Sequence, residues 1–344
     1  MFELVLLTIA LALVFDFYNG MNDAANSIAT VVSTRILTPR QAVAWAAFWN
    51  FVAAFVFGTA VAKSIHSVLN VGSISQVLVL SSLVGAILWT HVCTKWGMPI
   101  SVSHALIGGL IGAGLVHSGF DLGVLNMTKI GEIVLFIFLA PVIGLGGGAI
   151  LMVTVYRLFH RVTPGRVDRA FRTGQLMSAA AFGLGHGAND AQKTMGIITM
   201  ALAACASTHD LVVGKDGGFH VPYWVILSAH GAIAIGTLVG GANVIRTMGA
   251  RLTKLKPVQG FCAESAAAVL LFGTAHAGIP VSTTHTVTGS IMGVGAVKRW
   301  KAVRWGVATR IVWAWVLTIP CSAAVSGLTY AILKLLGVVR WAEG

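Results

Sequence analysis

Two short polar strings recur inside apolar stretches of this 344-residue chain. The first reads Gly20-Met21-Asn22-Asp23-Ala24-Ala25-Asn26, the second Gly187-Ala188-Asn189-Asp190-Ala191-Gln192. A carboxylate beside an amide is costly in apolar surroundings unless it binds something. The same costly pair placed once in each half predicts two repeats that hold a hydrophilic solute between them.

The surroundings of those strings set the class. Apolar residues make up 56% of the chain and charged residues 10%, far from the balance of an ordinary soluble domain. Apolar runs long enough to cross about 30 Å of hydrocarbon recur along nearly the whole length. The 40 glycines suit closely packed and broken membrane helices. The expectation is an all-α polytopic membrane protein embedded in a lipid bilayer.

The net charge of +12 raises nucleic acid as a partner, and the placement of the charges excludes it. Basic residues sit in short connections: Arg157, Arg161, Arg166, Arg169 and Arg172; Arg246, Arg251, Lys254 and Lys256; Lys298, Arg299, Lys301 and Arg304. This is the positive-inside pattern, with no separate basic domain. Cys93, Cys205, Cys262 and Cys321 form no paired spacing, so neither a disulfide framework nor a zinc site is signalled. The first 15 residues lack a basic start and contain Glu3, and read as a first helix instead of a cleaved leader.

With the basic clusters as cytoplasmic markers, spans are predicted at 1–34, 42–62, 131–156, 174–203, 222–245 and 303–336, with both termini outside. The loop at 205–221, carrying Asp210, Lys215 and Asp216, would lie outside. Two stretches resist reading as single spans. Residues 77–116 are interrupted at Trp96-Gly97-Met98-Pro99-Ile100-Ser101-Val102-Ser103-His104, and residues 260–297 at Gly278-Ile279-Pro280-Val281-Ser282-Thr283-Thr284-His285. Each reads as a helical hairpin or as two spans.

The halves then match in opposite orientation: 1–156 as a first membrane repeat, 157–173 as a short basic cytoplasmic loop, 174–344 as a second, inverted repeat. Asp23 and Asp190 lie 167 residues apart, Pro99 and Pro280 181 apart. Inverted-topology repeats with broken helices and paired hairpins imply alternating access around a midplane site.

Each hairpin tip carries Pro and then hydroxyls at a helix start, where Pro gives up no needed N–H and Ser or Thr caps. An anion satisfies the free N–H groups of such a first turn, aided by the helix dipole. Ser101 and Ser103 opposite Ser282, Thr283 and Thr284 would suit a tetrahedral oxyanion; the bland alternative is that they satisfy their own broken helices. Asp23 and Asp190 would repel a lone anion, so a positive charge must sit between, Na⁺ or a proton. Asn22, Asn26, Asn189 and Gln192 can add ligands or bond the anion, and Gly20 and Gly187 are where each helix could unwind. The bland reading here is a polar network pinning two helices. Glu264 has Leu83 as its counterpart and breaks the symmetry; it could ligate a cation, carry a proton, or pair with Arg310 or Lys193. Lys193 could pair with Asp190 at i,i+3 or contact the anion. His104 and His285 read as packed polar caps.

These motifs, with Arg246-Thr247-Met248-Gly249-Ala250-Arg251-Leu252-Thr253 leading to Gly260-Phe261-Cys262-Ala263-Glu264, resemble the inorganic phosphate transporter (PiT) family in its compact bacterial form. The resemblance covers nearly the whole chain. It implies secondary active uptake of inorganic phosphate in symport with Na⁺ or H⁺, in a cell membrane, without a cofactor and without enzymatic chemistry. On that basis Ser101, Ser103, Ser282, Thr283, Thr284, Asn22, Asn189 and Gln192 are expected at phosphate. Asp23, Asn26, Asp190 and Glu264 are expected in cation binding or coupling, with Na⁺ at Asp23 and Asp190 the only metal. The chain departs from some members in carrying Asn50 where they have Glu, and in having no large domain between its halves. The family includes sulfate permeases, and sulfate remains the alternative substrate. An intramembrane aspartyl protease would use two buried Asp residues but leaves the tips without a role, and an anion channel needs no paired acids. The oligomeric state stays open, a homo-oligomer included.

Overall fold

A computed structural model describes residues 2–70, 74–205, 207–214, 220–248, 252–253 and 255–343. Lys215 and Asp216 of the expected outer loop, and Arg251 and Lys254 of a basic cluster, lie outside the described residues. Thirteen α-helices are described: α1 Phe2–Ser33, α2 Pro39–Val52, α3 Ala60–His66, α4 Gln76–Trp96, α5 Val102–His117, α6 Met127–Leu158, α7 Pro164–Ala203, α8 Tyr223–Val239, α9 Ala242–Arg246, α10 Pro257–Ala277, α11 Thr283–Lys298, α12 Trp305–Leu335 and α13 Val338–Glu343. Five of them are long and apolar enough to cross a membrane (α1, α4, α6, α10, α12), and the bent α2–α3 pair would make a sixth. The outer faces of α6 and α12 expose Phe138, Val142, Ile150, Trp313 and Leu328, side chains that suit lipid and not water. The 40-residue α7 is kept out of that set by its own middle, where His186, Asn189, Asp190, Gln192, Lys193 and Thr194 are all buried.

Local chemistry explains the boundaries. Thr38 opens α2 with a capping box completed by Gln41 and with Pro39 in the first turn. Gly97 and Gly278 end α4 and α10 in the left-handed conformation, both at φ +69°, and Ser101 and Ser282 cap α5 and α11. Both hairpins therefore form as the tips foretell.

Three expectations need correction. Gly20 and Gly187 do not unwind their helices: α1 and α7 run through both without a break. They are contact glycines instead. A Cβ on Gly20 would lie 2.1 Å from the Ile233 carbonyl of α8, and one on Gly187 2.5 Å from the Asn50 carbonyl of α2. The breaks fall in the second spans. The predicted span 42–62 bends by 85° between its two helices, and 222–245 breaks at Gly240-Gly241, with Gly240 at φ +65°. Finally, the arginine-rich segment 157–173 is mostly helix, since α6 runs to Leu158 and α7 starts at Pro164. Thr163 and Pro164 supply a helix start that the charge pattern hides.

The packing exchanges equivalent elements between halves. α5 lies on α12 as α11 lies on α6, and α1 packs on α8 as α7 packs on α2. Small residues set the hairpin contacts at equivalent places: Gly112 approaches the Ala323 carbonyl and Gly293 the Leu145 carbonyl, each leaving about 2 Å to an added Cβ. One apolar cluster unites the start of α1 with α4, α5 and the end of α7. A second unites the end of α1 with the start of α7, α10 and α11. The polar middles of α1 and α7 lie between the two.

Gly20→Ala should cost stability, on the order of 1–3 kcal/mol, because α1 and α8 must separate. Gly146→Ala, with nothing within 4 Å of its Cβ, should leave thermal unfolding in detergent unchanged or slightly raised. Equal behaviour of the two variants would remove Gly20 as the contact that sets the α1–α8 spacing.

Candidate functional site

α1 presents Asp16, Asn19, Asp23, Asn26 and Thr30 at helical spacing, and Thr34 follows directly after it, all buried. α7 answers with Gln175, Ser178, His186, Asp190, Lys193 and Thr194, also buried. Thr34 meets Gln175, Asp23 meets His186, and Asp16 lies beside Thr194. Rising numbers on one helix pair with falling numbers on the other, so the helices cross antiparallel along one polar seam.

The middle of the seam is the densest part. One oxygen of Asp23, one of Asp190 and a nitrogen of His186 lie within 4.8 Å of one another. His186 Nε2 is 3.2 Å from Asp190 Oδ2 and 3.7 Å from Asp23 Oδ2. Thr283, at the start of α11, sets its single hydroxyl 3.1 Å from an oxygen of each carboxylate, so that either can accept its proton. Two ionised carboxylates this close repel by about 3 kcal/mol at an effective dielectric near 20, so cationic groups must share the space. Lys193 is one: Nζ lies 2.5 Å from Asp190 Oδ1 and donates to Ser103 Oγ and to the Val281 carbonyl. Asp23, His186 and Asp190 could also take a metal ion together.

Both hairpin tips end here and touch. Thr284 Oγ1 lies 3.3 Å from Asp23 Oδ1 and 3.0 Å from the Ile100 carbonyl, and it receives Asn26 Nδ2 at 2.8 Å. The His104 and His285 rings meet edge to face with centroids 4.7 Å apart. Ser101 and Ser282 accept from the His104 and His285 amides, each at 3.2 Å, so their hydroxyl oxygens do the capping that the bland reading assigns them. The amides of Val102, Ser103, Thr283 and Thr284, at the first two positions of α5 and α11, have no helical partner.

The remaining expected residues diverge. Asn22 ties α1 to the Thr94 hydroxyl of α4, and Asn189, its counterpart in the second string, ties α7 to the Leu271 carbonyl of α10. Gln192 accepts from the Val61 amide at 2.8 Å, at the start of α3, and so holds the broken second span. These three brace the elements around the centre. Asn50, where some family members carry Glu, accepts from His186 Nδ1 at 3.1 Å and donates to Thr237. It turns Nε2 of His186 toward the carboxylates.

Glu264 forms a second acidic station. It receives Thr30 Oγ1, Ser178 Oγ and Gln175 Nε2, the last at 3.1 Å. Neither expected cationic partner reaches it: Lys193 is at Asp190, and Arg310 lines a cavity with Pro99 and Thr247. Asp16 is a fourth acid of the seam and lies outside both motifs, as do His186, Thr30, Gln175 and Ser178. Spacing could have found them. Asp16 and Thr30 lie seven residues either side of Asp23, and His186 lies four before Asp190, so each shares a helix face with a motif residue.

Comparison with known proteins gives this geometry its context. A family model described as the phosphate transporter family matches residues 19–165 and 159–326. A probable low-affinity inorganic phosphate transporter of Rhizobium meliloti (strain 1021) is 49% identical over 332 residues, 96% of each chain. One of Bacillus subtilis (strain 168) is 40% identical over 339 residues, 97% of this chain and 98% of its own. A solved structure described as the sodium-dependent phosphate transporter aligns with a TM-score of 0.88 at 27% identity, covering 97% of this chain and 99% of that one. The relatives are named as transporters and not enzymes, and the apolar helices of this chain require a bilayer. This multi-pass membrane protein belongs to the phosphate transporter family.

Proposed function

We propose that the protein takes up inorganic phosphate across the cell membrane by symport with Na⁺ or H⁺. The halves 1–156 and 174–344 act as inverted repeats that rock about the centre, with both termini outside. The observation that carries this reading is the meeting of two helix starts, with four amides lacking helical partners, beside two buried carboxylates. Those amides and the dipoles of α5 and α11 favour a dianion, and Ser103, Thr283 and Thr284 add hydroxyl donors. Asn22, Asn189 and Gln192 act on phosphate by holding the helices that carry the site.

The carboxylates supply the coupling. With Asp23 and Asp190 ionised the site repels phosphate, and a cation bound between them reverses that balance. Anion and cation binding then favour each other by mutual attraction, which is the thermodynamic content of symport. Asn26 adds an amide to the cation set, and Glu264 offers the ion a station one helix segment further along the seam. The sodium dependence named for the structural relative supports Na⁺ as the ion.

Phosphate uptake into proteoliposomes under an imposed Na⁺ or pH gradient, with sulfate as competitor, tests the proposal. Uptake driven by one gradient and indifferent to sulfate is expected; uptake suppressed by modest sulfate would make this a sulfate permease. Asp23→Asn and Asp190→Asn should each abolish gradient-driven uptake while the protein still reaches the membrane. Thr283→Val removes the hydroxyl shared by both carboxylates and should lower uptake about tenfold or more, the worth of one hydrogen bond to a charged group. Glu264→Gln should alter ion or pH dependence more than the half-saturation for phosphate, and a pure affinity loss would take Glu264 out of coupling.

A further inference from the structure

Lys193 is a buried ammonium, 1% exposed, whose three partners are a carboxylate, a hydroxyl and a backbone carbonyl. Those are the oxygen types that a hard cation such as Na⁺ takes as ligands. The internal repeat shows what the ammonium replaces. The 167-residue offset that carries Asp23 onto Asp190 carries Asn26 onto Lys193. The 181-residue offset between the tips carries Ile100 onto Val281 and Ser103 onto Thr284.

The equivalent oxygens of the other half are also assembled. Thr284 Oγ1 lies 3.3 Å from Asp23 Oδ1 and 3.0 Å from the Ile100 carbonyl. Asn26 bonds that threonine through Nδ2 and keeps a buried Oδ1 with no hydrogen-bond partner. Among the described residues, the basic group within 4 Å of Asp23 is His186, 3.7 Å from its other oxygen. The centre thus holds two copies of one oxygen set. Lys193 fills the first, and an amide carrying a spare oxygen borders the second.

We propose that Lys193 is a resident cation, occupying one of two symmetry-related cation sites and leaving the other as the only exchangeable site of the central pair. The exchangeable site consists of Asp23 Oδ1, Thr284 Oγ1, the Ile100 carbonyl and Asn26 Oδ1. The inference rests on the cation-coupled reading of the centre and deepens it. The charge of Asp190 is balanced throughout the cycle by a group that cannot leave, so only the Asp23 side loads and releases an ion. A repeat with Asn at both positions would load two. Lys193 is therefore a specificity-determining residue that sets how many cations the centre carries.

The test replaces Lys193 by its counterpart. Purified Lys193→Asn is unfolded thermally in detergent across a NaCl series, with choline chloride at equal ionic strength as control, beside the unchanged protein. The variant should gain a saturable Na⁺-dependent rise in Tm, about 2 °C or more at Na⁺ tenfold over the new site's Kd, beyond any rise in the unchanged protein. The double variant Lys193→Asn with Asp190→Asn should lose that gain. A folded Lys193→Asn whose Tm follows Na⁺ no more than the unchanged protein overturns the proposal. If Lys193→Asn is not recovered, Lys193→Ala, which leaves room for a hydrated ion, is read the same way. Recovery of neither variant in Na⁺ also overturns it, because the freed oxygens then bind no ion. No phosphate enters this measurement. Failure of phosphate uptake by the unchanged protein would overturn the proposed function and leave the count of cation sites standing.

Discussion

Two carboxylates held within 4.8 Å of each other, away from water, are the constraint around which this molecule is arranged. Burying one such group is tolerable when hydrogen bonds or an opposite charge meet it; burying two side by side demands both. Thr283 is placed where one hydroxyl serves both acids, and Lys193 and His186 bring basic nitrogens to the same space. The scaffold follows from that need. α1 and α7 must cross closely enough to face each other, which the contact glycines Gly20 and Gly187 permit by letting α8 and α2 press in from outside. The hairpins must break at the same depth, because only a helix start brings amides and a capping hydroxyl to one point.

Much of this was legible in the sequence because the costly residues are repeated. A single Asn-Asp string in an apolar run is ambiguous. Two strings at matching places, each followed by a Pro-and-hydroxyl tip, point to repeats and to a shared centre. The tips formed as read because Gly, Pro and Ser have steep local preferences that a membrane does not override. Where the reading failed, the missing information was tertiary. Gly20 and Gly187 look like hinge residues in one dimension, and only the carbonyls of Ile233 and Asn50 against them show that they are contact points. The bends at 56–59 and 240–241 escaped because a bent span and a straight one have the same hydropathy. The hold of Gln192 on the amide of Val61 was likewise invisible in one dimension, since the motif does not say which element its side chain meets.

The acids outside the motifs carry a related lesson. Asp16 and Glu264 belong to no repeated string, so a search for repeats ranks them low. The crossing of α1 and α7 nevertheless sets Asp16, the central pair and Glu264 along one seam. On α1, Asp16, Asp23 and Thr30 follow at seven-residue intervals, about 10 Å each. A polar seam through an otherwise apolar bundle is where a hydrated ion meets least resistance. The two apolar clusters on either side confine it to that line.

Matched strings and tips build the site, but two identical half-sites would serve the proposed transport of one charged solute poorly. Three substitutions break the match where it counts: Thr283 stands opposite Val102, Lys193 opposite Asn26, and Glu264 opposite Leu83. Each replaces a neutral or apolar side chain with one that donates a hydrogen bond or carries charge. The first gives the paired acids a common donor, the second fixes a positive charge on one of them, and the third adds an acid that its counterpart position lacks. The backbone thus offers two equivalent half-sites while the side chains give them different work. In the proposed transport cycle, that division lets two matched halves rock between equivalent shapes and still carry an ion and an anion along a directed path.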